Sequence, residues 1–518
     1  MNQTYPIFAI ESARSYEAGV LGGDEAKTTL AMTNAGEAIG AGILNDYLEV
    51  GEWPDRPELL VLAGKGLNAG DAFVACFYLW QRLPGQRVSI VLTEDKSCLN
   101  PLAAKALAQL SDSMGENLQT LSIEEYLQTE PCTLDVVLDG IYGHGFHPPL
   151  QEAVAELLSH VNNRTDIHLR VAVDLPSGLC EDMTNEPFHA DITYVPGVAK
   201  SPCFDDENKK WVGRIRFLEI EPFFDQRSTD DNCAHLVSPS SYRSLNRIRP
   251  AQSDKRDYGH CLVLSGSSQL PGASLMSGMG ALQSGAGLVT ILTPSTVSTQ
   301  IAGALPEAMW RPLPVTMEGG LEVETVRITS RAATRANAIL IGPGLVLDKS
   351  TLFVLCRVIR EVHLPMVLDA SALTQDVVAA VLGRPFSAGP VILTPHPGEF
   401  ARMNGVKKME IDDHTLINFS RKYRAVTVLK GSPTRICDGE RVFHAPVGGP
   451  VLARGGAGDI LAGIMTTLLA QSPDDPLSAA IQAVTWHGAA ADSLARERGA
   501  IGVKTTEMLP HLAKVLRP

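Results

Sequence analysis

The chain has 518 residues, 45% of them hydrophobic and 20% charged, with a formal net charge of −14. This length exceeds one ordinary hydrophobic core, so we expect two or three domains, and the composition excludes a disordered protein. The negative charge argues against a nucleic acid or an anionic membrane as the main partner. The nine cysteines contain no CxxC pair, which favours reduced thiols over disulfides or zinc.

The start of the chain and its apolar segments favour a cytoplasmic location. MNQTYPIFAIES has neither the basic start nor the long apolar run of a signal peptide. No apolar segment is long enough to span a membrane.

The first half alternates short apolar runs with longer amphipathic ones. A helix at 28–48 should pack across a sheet, and the elements after it are strands at 58–64, 88–93, 134–140 and 169–178 and helices at 71–83 and 150–161. Strands that alternate with helices predict a parallel sheet covered on both faces.

The alternation fades between Pro222 and Pro250, where turn formers and charges are typical of a domain boundary. We therefore predict domains at 1–225 and 242–518 joined by a linker at 226–241. The second half again reads as an α/β domain, with strands at 260–266, 287–294, 338–344, 365–370, 390–398 and 425–431 and helices at 272–285, 350–362, 459–470 and 476–497.

Polar and glycine-rich loops follow the predicted strands of the second half, at 265–273, 341–345, 369–373, 394–400, 430–434 and 454–459. Each loop alone has a structural explanation: GPG as a turn, His396 as a hydrogen-bonding residue, Lys430 as a solvated charge. Ligands of open α/β sheets bind at the carboxyl ends of the strands, so the loops together predict a binding site.

The stretch GGAGDILAGI, residues 455–464, places Asp459 where a glycine-rich loop becomes a helix. A helix N-terminus attracts anions such as phosphate, and glycine lets a ligand approach the backbone. Asp459 is either a first-turn acid that stabilises the helix or a base beside a bound phosphate. The stretch alone leaves both alternatives open.

The motifs SGSSQLPGA, IGPGL, LTPHPGEF, LKGSPT, ARGGAGDILAG and WHGAAAD, in this order, resemble the ADP/ATP-dependent NAD(P)H-hydrate dehydratases of the ribokinase-like fold, over about 242–518. The resemblance implies that Asp459 acts at the reacting hydroxyl. Ser371 stands where many members have a second aspartate. The implied nucleotide-binding residues are Lys430, Gly431, Ser432, Pro433, Thr434 and Gly458, and the implied substrate-binding residues are Ala273, Gly344, His396 and Asp459.

The resemblance also implies the chemistry. Phosphorylation by ADP or ATP with Mg²⁺ turns the hydroxyl of the hydrated nicotinamide ring into a good leaving group, and elimination regenerates NADH or NADPH. The GGAGD loop would donate N–H groups to the moving phosphoryl group, and Asp459 would accept the hydroxyl proton.

Residues from about 12 to 221 resemble the NAD(P)H-hydrate epimerase domain, which has a Rossmann-like three-layer fold, through LAMTNAG, GKGLNAGDA, DGIYGHGF, VDLPSG and ADITYVPGVAK. The resemblance implies that Asp174 is the base; the alternative is a cap for the turn before Pro176. It implies K⁺ ligands at Asn68, Asp139 and Ser177, and a substrate site lined by Leu67, Asn68, Ala69, Gly70, Asp71, Asp174 and residues 143–149, which include Gly143, His144, Gly145 and Phe146.

The first of these loops departs from the family pattern GxGNNGGDG, because this chain has GKGLNAGDA. Leu67 replaces an amide, and Ala69 and Ala72 replace glycines. An alanine at a position that requires a positive φ costs on the order of 1 kcal/mol. We therefore expect a weakened epimerase.

The leading hypothesis is a two-domain metabolite-repair enzyme that acts on small molecules, as a homo-oligomer, without a nucleic-acid or membrane partner. One alternative is a small-alcohol or vitamin kinase with the same C-terminal fold. Another makes the N-terminal half a non-catalytic scaffold or binding module. A stable phosphate ester as product would indicate the kinase, and released NADH with inorganic phosphate would indicate the dehydratase.

Overall fold

The structure, a computed structural model, describes residues 3–129, 132–180, 183, 185–226, 234–404 and 411–517. It divides into two compact units. The N-terminal unit comprises Tyr5–Leu236 and Ala495–Ala500, and the C-terminal unit comprises Met1–Thr4, Val237–Leu494 and Ile501–Pro518. The predicted domain limits remain a proposal, and residues 227–233 of the predicted linker lie outside the described residues.

The helices and strands of the N-terminal unit follow the predicted alternation. In chain order they are β1 (Thr4–Phe8), α1 (Ile10–Leu21), α2 (Glu25–Asp46), β2 (Glu58–Ala63), α3 (Leu67–Trp80), β3 (Arg87–Leu92), α4 (Pro101–Met114), β4 (Leu118–Ser122), α5 (Ile123–Leu127), β5 (Leu134–Gly140), α6 (Glu152–Asn162), β6 (Ile167–Val173), β7 (Ile192–Pro196), β8 (Ala199–Lys200), α7 (Lys209–Val212), β9 (Arg214–Leu218) and β10 (His235–Val237).

Seven parallel strands form the main sheet of this unit, in the order β4-β3-β2-β5-β6-β7-β9. Helices α2, α3 and α4 pack on one face of the sheet, and α5 and α6 pack on the other. Separately, β1 pairs with β8 in parallel. The strand order is that of a doubly wound Rossmann sheet, so the predicted Rossmann-like three-layer fold is confirmed.

One prediction for this unit was wrong in detail. The helix predicted at 71–83 begins at Leu67, because Gly66 precedes it in an extended conformation and the chain is helical from the next residue. No prediction was made for helices α1, α4, α5 and α7 or for strands β1, β4 and β7 to β10. Helix α1 has a single buried side chain, Ala13, so its apolar pattern is weak.

The C-terminal unit continues with β11 (His260–Leu264), α8 (Pro271–Gln283), β12 (Leu288–Pro294), α9 (Ser295–Ile301), β13 (Met309–Leu313), α10 (Glu324–Ala333), β14 (Ala338–Ile341), α11 (Lys349–Glu361), β15 (Met366–Leu368), α12 (Gln375–Val381), β16 (Val391–Leu393), α13 (Pro397–Met403), α14 (Asp413–Tyr423), β17 (Val426–Leu429), β18 (Thr434–Cys437), β19 (Val442–Ala445), α15 (Ala457–Gln471), α16 (Pro476–Arg498) and α17 (Leu509–Leu516). Each predicted strand and helix of this half overlaps one of these elements.

The sheet of this unit has the order β13-β12-β11-β14-β15-β16-β17-β18-β19. Its strands are parallel as far as β17, after which β18 and β19 run antiparallel. Helices α10 to α14 cover one core, whereas α8 and α15 cross so closely that a Cβ added at Gly463 would lie 2.2 Å from the carbonyl oxygen of Ser277. The predicted α/β architecture is confirmed. In the described part of the chain, no helix has both the length and the apolar character needed to cross a bilayer.

Candidate active sites

The candidate site of the N-terminal unit lies between β2 and β5, which are neighbours in the sheet. The next strand after β2, β3, lies on one side of this pair, and the next strand after β5, β6, lies on the other. Open α/β sheets bind ligands at such a switch point, outside the carboxyl ends of the strands. β2 leads into α3, and β5 leads into the loop at 141–151. The predicted residues in these two segments are Leu67, Asn68, Ala69, Gly70, Asp71, Asp139, Gly143, His144, Gly145 and Phe146.

The substitutions in the first motif are accommodated without strain. Leu67, Ala69 and Ala72 lie in α3, and the described non-glycine residues with positive φ are Asp174, Ala370 and Arg424. The expected cost of a left-handed alanine therefore does not arise. The buried methyl group of Ala72 lies against Gly140, where an added Cβ would be 2.9 Å away.

Asp139 and Ser177, two of the implied potassium ligands, are buried and in direct contact. Ser177 donates its hydroxyl to Oδ1 of Asp139 at 2.6 Å and its backbone N–H to Oδ2 at 2.7 Å. Burial raises the pKa of Asp139 to about 6, although hydrogen bonds from Ser177 and the Ile141 amide oppose the rise.

Asn68, the third implied ligand, lies beside the same loop. Its Nδ2 donates to the Val173 carbonyl at 3.2 Å, and a Cβ added at Gly143 would be 3.2 Å from its Oδ1. Carboxylate, amide and hydroxyl oxygens are the ligands that hard cations prefer. A cation would also supply a counter-charge for buried Asp139, which neutral donors do not, so the donor set fits potassium.

Asp174 belongs to a closed ring of four side chains, Asp174, Lys200, Glu17 and His144, which we call the ionic ring. Lys200 Nζ lies 2.6 Å from Oδ1 of Asp174 and 3.0 Å from Oε1 of Glu17. His144 Nδ1 lies 3.4 Å from Oδ2 of Asp174, and its Nε2 lies 3.6 Å from Oε2 of Glu17. Each carboxylate therefore faces Lys200 with one oxygen and His144 with the other.

The ionic ring keeps Asp174 ionised. Burial would raise the pKa of Asp174, but Lys200 and His144 outweigh burial and hold that pKa well below its ordinary value. Burial and the negative charges of Asp174 and Glu17 instead raise the pKa of nearby Asp71 well above its ordinary value. Two carboxyl groups whose pKa values move apart are typical of acid–base sites.

The backbone of Asp174 is held in the left-handed region, at a φ of 67°. Such a conformation is uncommon outside glycine and persists only where its surroundings enforce it. Here the N–H of Asp174 donates to the Tyr194 carbonyl at 2.8 Å. The N–H of Ser177, which a cap at Asp174 would bind, donates to Asp139 instead, so the capping alternative finds no support.

Helix α1 holds the predicted substrate loop. Arg14 donates its Nε to the His144 carbonyl at 2.8 Å, and its Nη2 reaches the same oxygen and the Phe146 carbonyl. The Phe146 ring lies 5.1 Å from the Tyr142 ring. Gly145 is open around its Cα, whereas a Cβ at Gly143 would be 2.8 Å from Oδ2 of Asp174.

Glu17, Arg14 and Lys200 were assigned no role from the sequence. Lys200 ends the quoted motif ADITYVPGVAK, and a lysine directly after an apolar strand was the available signal. Glu17 and Arg14 lie on α1, which carried no motif.

The candidate site of the C-terminal unit lies at the switch point between β11 and β14. The N–H of Gly266, after β11, donates to the Pro343 carbonyl, after β14, at 2.7 Å. Ala273 and Gly344 are in contact, since a Cβ added at Gly344 would lie 2.6 Å from that of Ala273. The structure therefore brings two of the implied substrate residues together.

His396, the third implied substrate residue, begins α13 as its N-cap. Its Nδ1 accepts from the N–H groups of Gly398 and Glu399 at 3.0 and 3.3 Å, and Glu399 accepts from the His396 N–H at 2.8 Å. The structural explanation for His396 therefore holds. Because Nδ1 is an acceptor, the proton of the neutral ring is on Nε2, which lies 3.6 Å from Oε1 of Glu399 on an exposed side chain.

Lys430 is ion-paired, so the prediction of a solvated strand-end charge does not hold. Its Nζ lies 2.9 Å from Oδ1 of buried Asp369 and 3.9 Å from Oε2 of Glu399. Thr394 donates to the same oxygen of Asp369 at 2.7 Å. Asp369 begins the predicted loop at 369–373 but was assigned no role from the sequence.

Asp459 lies in the first turn of α15, behind Gly456, whose φ of 89° requires glycine. A Cβ added at Gly458 would be 3.6 Å from Nζ of Lys430 and 4.0 Å from Oδ2 of Asp369, so the helix start meets this ion pair. Burial and the charge of Asp369 raise the pKa of Asp459 to about 6, against the opposing effect of Lys430.

The remaining implied nucleotide residues form the turn between β17 and β18, directly after Lys430. Gly431 and Ser432 are exposed and Pro433 is buried, while Thr434 donates its hydroxyl to the Gly431 carbonyl at 3.1 Å. Ser371, at the departure from the family pattern, donates to the Leu345 carbonyl at 2.8 Å.

Comparisons with known proteins match both units. The family described as NAD(P)H-hydrate dehydratase matches residues 261–514, and the family described as YjeF-related protein N-terminus matches residues 29–201. A bifunctional NAD(P)H-hydrate repair enzyme from Gloeobacter violaceus is 33% identical over 500 residues, which are 93% of each chain. Its counterpart from Moorella thermoacetica is 32% identical over 503 residues, 94% of this chain and 92% of the relative.

Among solved structures, the ADP/ATP-dependent NAD(P)H-hydrate dehydratase from Bacillus subtilis, co-crystallised with ATP and Mg²⁺, is 33% identical. It covers 54% of this chain and 98% of its own, with a TM-score of 0.45. The C-terminal unit has the ribokinase-like α/β fold that the resemblance implied. Because the curated relatives align over both units at this identity, the chain belongs to the family of bifunctional NAD(P)H-hydrate repair enzymes.

Proposed function

We propose that this chain repairs hydrated NADH and NADPH in two active sites. The C-terminal unit dehydrates the S-hydrate with ADP or ATP, and the N-terminal unit interconverts the R- and S-hydrates. The observation that carries the proposal is the position of the start of α15: Gly458 lies beside the ion pair of Lys430 and Asp369, and the charges of both act on the neighbouring Asp459. A carboxylate that could accept a proton, a cation and a helix N-terminus therefore lie close together, which supports the proposal.

In the dehydratase site, the N–H groups at the start of α15 and the ammonium group of Lys430 would bind the phosphates of the nucleotide. The turn at Gly431, Ser432, Pro433 and Thr434, with Gly458, would hold the rest of it. Asp459 then accepts the proton of the substrate hydroxyl as the phosphoryl group is transferred to that oxygen. Mg²⁺, bound with the nucleotide, would neutralise phosphate charge.

The substrate would lie against Ala273, Gly344 and His396. The tight contact between Ala273 and Gly344 gives this part of the site a smooth wall of backbone and a methyl group. The Nε2–H of His396 can donate a hydrogen bond to a phosphate or carbonyl oxygen of the dinucleotide.

In the epimerase site, Asp174 is the ionised carboxylate, and inversion of the hydroxyl-bearing carbon needs a proton acceptor close to it. Residues 67–71 and 143–149 would line the site. Asn68, Asp139 and Ser177 would hold K⁺, whose positive charge would attract the phosphates of the dinucleotide and balance Asp139. We further propose that the protein is cytoplasmic and that it forms a homo-oligomer. Light scattering of the full chain would test the oligomeric state.

The test uses the full chain with hydrated NADH. With ADP or ATP and Mg²⁺, we expect the absorbance of the dihydronicotinamide ring to return, with release of inorganic phosphate and consumption of both epimers. A control without nucleotide should show no recovery. A stable phosphate ester formed without NADH would contradict the proposal and favour the kinase alternative.

A further inference from the structure

Helix α1 lies before the residues matched by the N-terminal family, 29–201, yet it supplies one quarter of the ionic ring. Glu17 contacts both cationic members of the ring, Lys200 and His144. Arg14, one turn earlier on the same helix, binds two carbonyls of the substrate loop. The helix is therefore joined to the site at two points.

Lys200 is the least expected member of the ring, because its side chain is 2% exposed. Removing an ammonium group from water costs several kcal/mol unless it is paired and hydrogen-bonded. Two carboxylates and the Val198 carbonyl, at 3.1 Å, surround Nζ. All three positions around the ammonium group are thus filled by protein, which fixes it in one place.

The two oxygens of Asp174 are held differently. Oδ1 is bound tightly by Lys200, at 2.6 Å. Oδ2 has longer contacts, 3.1 Å to the backbone N–H and 3.4 Å to the ring of His144, and it faces Gly143, where no side chain intervenes. Oδ2 is therefore the less tightly bound of the two oxygens.

We propose that Lys200 and Glu17 are positioning residues of the epimerase site: Lys200 holds Asp174 through Oδ1, Glu17 fixes Lys200, and Oδ2 is left to act on the substrate. The inference rests on the proposed epimerase function. Lys200 does not touch the substrate in this arrangement. Its effect passes through the orientation and charge of Asp174, and that of Glu17 passes through Lys200 and His144.

The charged and titratable groups that face Asp174 come from every neighbouring segment: Lys200 from β8, Glu17 from α1, His144 from the substrate loop, Asp71 from α3, and Cys203, whose thiol donates to the Asp174 carbonyl oxygen at 3.7 Å. Lys200 is the buried cation among them, so its removal should change the ionisation of Asp174 most.

The experiment follows interconversion of the R- and S-hydrates by chromatography, with the full chain and without ADP or ATP, so that dehydration does not run. In Lys200→Met we expect the acid limb of the kcat/KM profile to move up by about 1–3 pH units, the usual effect of one close counter-charge on a carboxyl group. Lys200→Arg, which keeps the charge, should return the limb towards its original position.

Glu17→Gln should lower kcat by roughly 10-fold with KM nearly unchanged, because a displaced ammonium group misplaces Asp174. Glu11→Gln on the exposed face of α1 and Lys27→Met on α2 are the matched controls, and both should match the wild type. If Lys200→Met fails to fold, its rate falls at every pH and the acid limb does not move. The rate and pH profile of Lys200→Arg then test the positioning role.

Two failures are distinguishable. If the wild type does not exceed the spontaneous rate of epimerisation, the proposed epimerase function fails. If the wild type exceeds that spontaneous rate and Lys200→Met keeps the wild-type rate and pH profile, the positioning role is overturned while the epimerase function stands.

Discussion

Two aspartates carry the proposed proton transfers, and their surroundings move their pKa values in opposite directions. Lys200 and His144 hold the pKa of Asp174 down, whereas burial and Asp369 raise the pKa of Asp459 to about 6. Asp174 is therefore ionised throughout the neutral range. Asp459 accepts a proton only in its ionised form, which is the majority form above about pH 6.

This difference predicts how dehydration depends on pH. As the pH falls through about 6, Asp459 becomes protonated and the rate should fall with it. Asp459→Asn keeps the shape but removes the base, so turnover should fall by roughly 10²–10⁴-fold with nucleotide binding retained. Steady-state rates from about pH 5 to 7, on the order of one unit either side of this pKa, measure both effects.

The control for that prediction is the residual activity of Asp459→Asn, which should lack the acid limb near pH 6 that the wild type shows. Near-normal turnover in the purified variant would rule out the role given to Asp459.

Leu67 offers a second test at the scale of one residue. It is partly buried against the core of the N-terminal unit, at a position where the resemblance implies an amide. A substrate polar group left unpaired costs about 1–3 kcal/mol, which is roughly a 5- to 150-fold loss in rate if the cost falls on the transition state. We expect the wild-type epimerase to be slow and Leu67→Asn to be faster.

The assay for Leu67→Asn is interconversion of the hydrates without nucleotide, with the spontaneous rate as baseline and a thermal melt to register the lost apolar contact. If both proteins are no faster than the spontaneous rate, the polar residues Asn68, Asp139, Asp174 and Ser177 do not form a working epimerase site. A fast wild type that Leu67→Asn slows would show that residue 67 makes no amide contact with the substrate.

At the scale of elements, the strands and the residues at their carboxyl ends were predictable, because apolar runs and glycine-rich loops are local patterns. Ala273 and Gly344 meet, and Lys430 lies beside Gly458, as expected for loops at one sheet edge. The partners of the predicted residues were not predictable. Glu17 with Lys200, and Asp369 with Lys430, are ion pairs between distant segments that no local pattern encodes.

The start of α3 shows the converse limit. Its glycine-rich motif predicted a loop at 67–70, but these residues are helical. Ala69 and Ala72 therefore have no positive φ and cause no backbone strain. Family glycines at such positions need not reflect a positive φ, so a departure from them carries less information than the motif suggests.

The start of α15 together with the turn after β17 predicts a nucleotide effect on stability. ADP or ATP with Mg²⁺ at about 100 times Kd adds about 2.7 kcal/mol, so the thermal midpoint of the C-terminal unit, followed in the full chain, should rise by about 5 °C. Lys430→Met should reduce the rise, whereas Lys349→Met, an exposed lysine on α11, should keep it. The absence of any shift in the wild type would remove the phosphate site.

At the scale of the whole molecule, the chain carries two separate units, each with its own site at the switch point of its own sheet. A net charge of −14 repels dinucleotide substrates at long range, so both sites depend on local positive charge. Lys430 with the start of α15 provides it in one unit, and the proposed K⁺ provides it in the other.

Two sites in one chain predict complementation. Asp459→Asn should epimerise but not dehydrate, and Asp174→Asn should dehydrate the S-hydrate alone; asparagine tolerates the left-handed backbone at residue 174. A mixture of the two variants should convert the R-hydrate to NADH at a rate that neither reaches alone. Recovery of dihydronicotinamide absorbance measures it, and a mixture no faster than Asp174→Asn would contradict the division of labour.

Ala72 on helix α3 and Gly140 on strand β5 pack so closely that the space between them holds one methyl group and not two. With glycine at residue 72 there is room for a methyl group at residue 140. Either position can therefore carry the methyl group, but not both. Gly140→Ala alone should lower the thermal midpoint, and Ala72→Gly added to it should restore part of the loss, since the Asn68 carbonyl, 3.1 Å from the added Cβ, stays in place. Substitutions at residues 72 and 140 should therefore depend on each other.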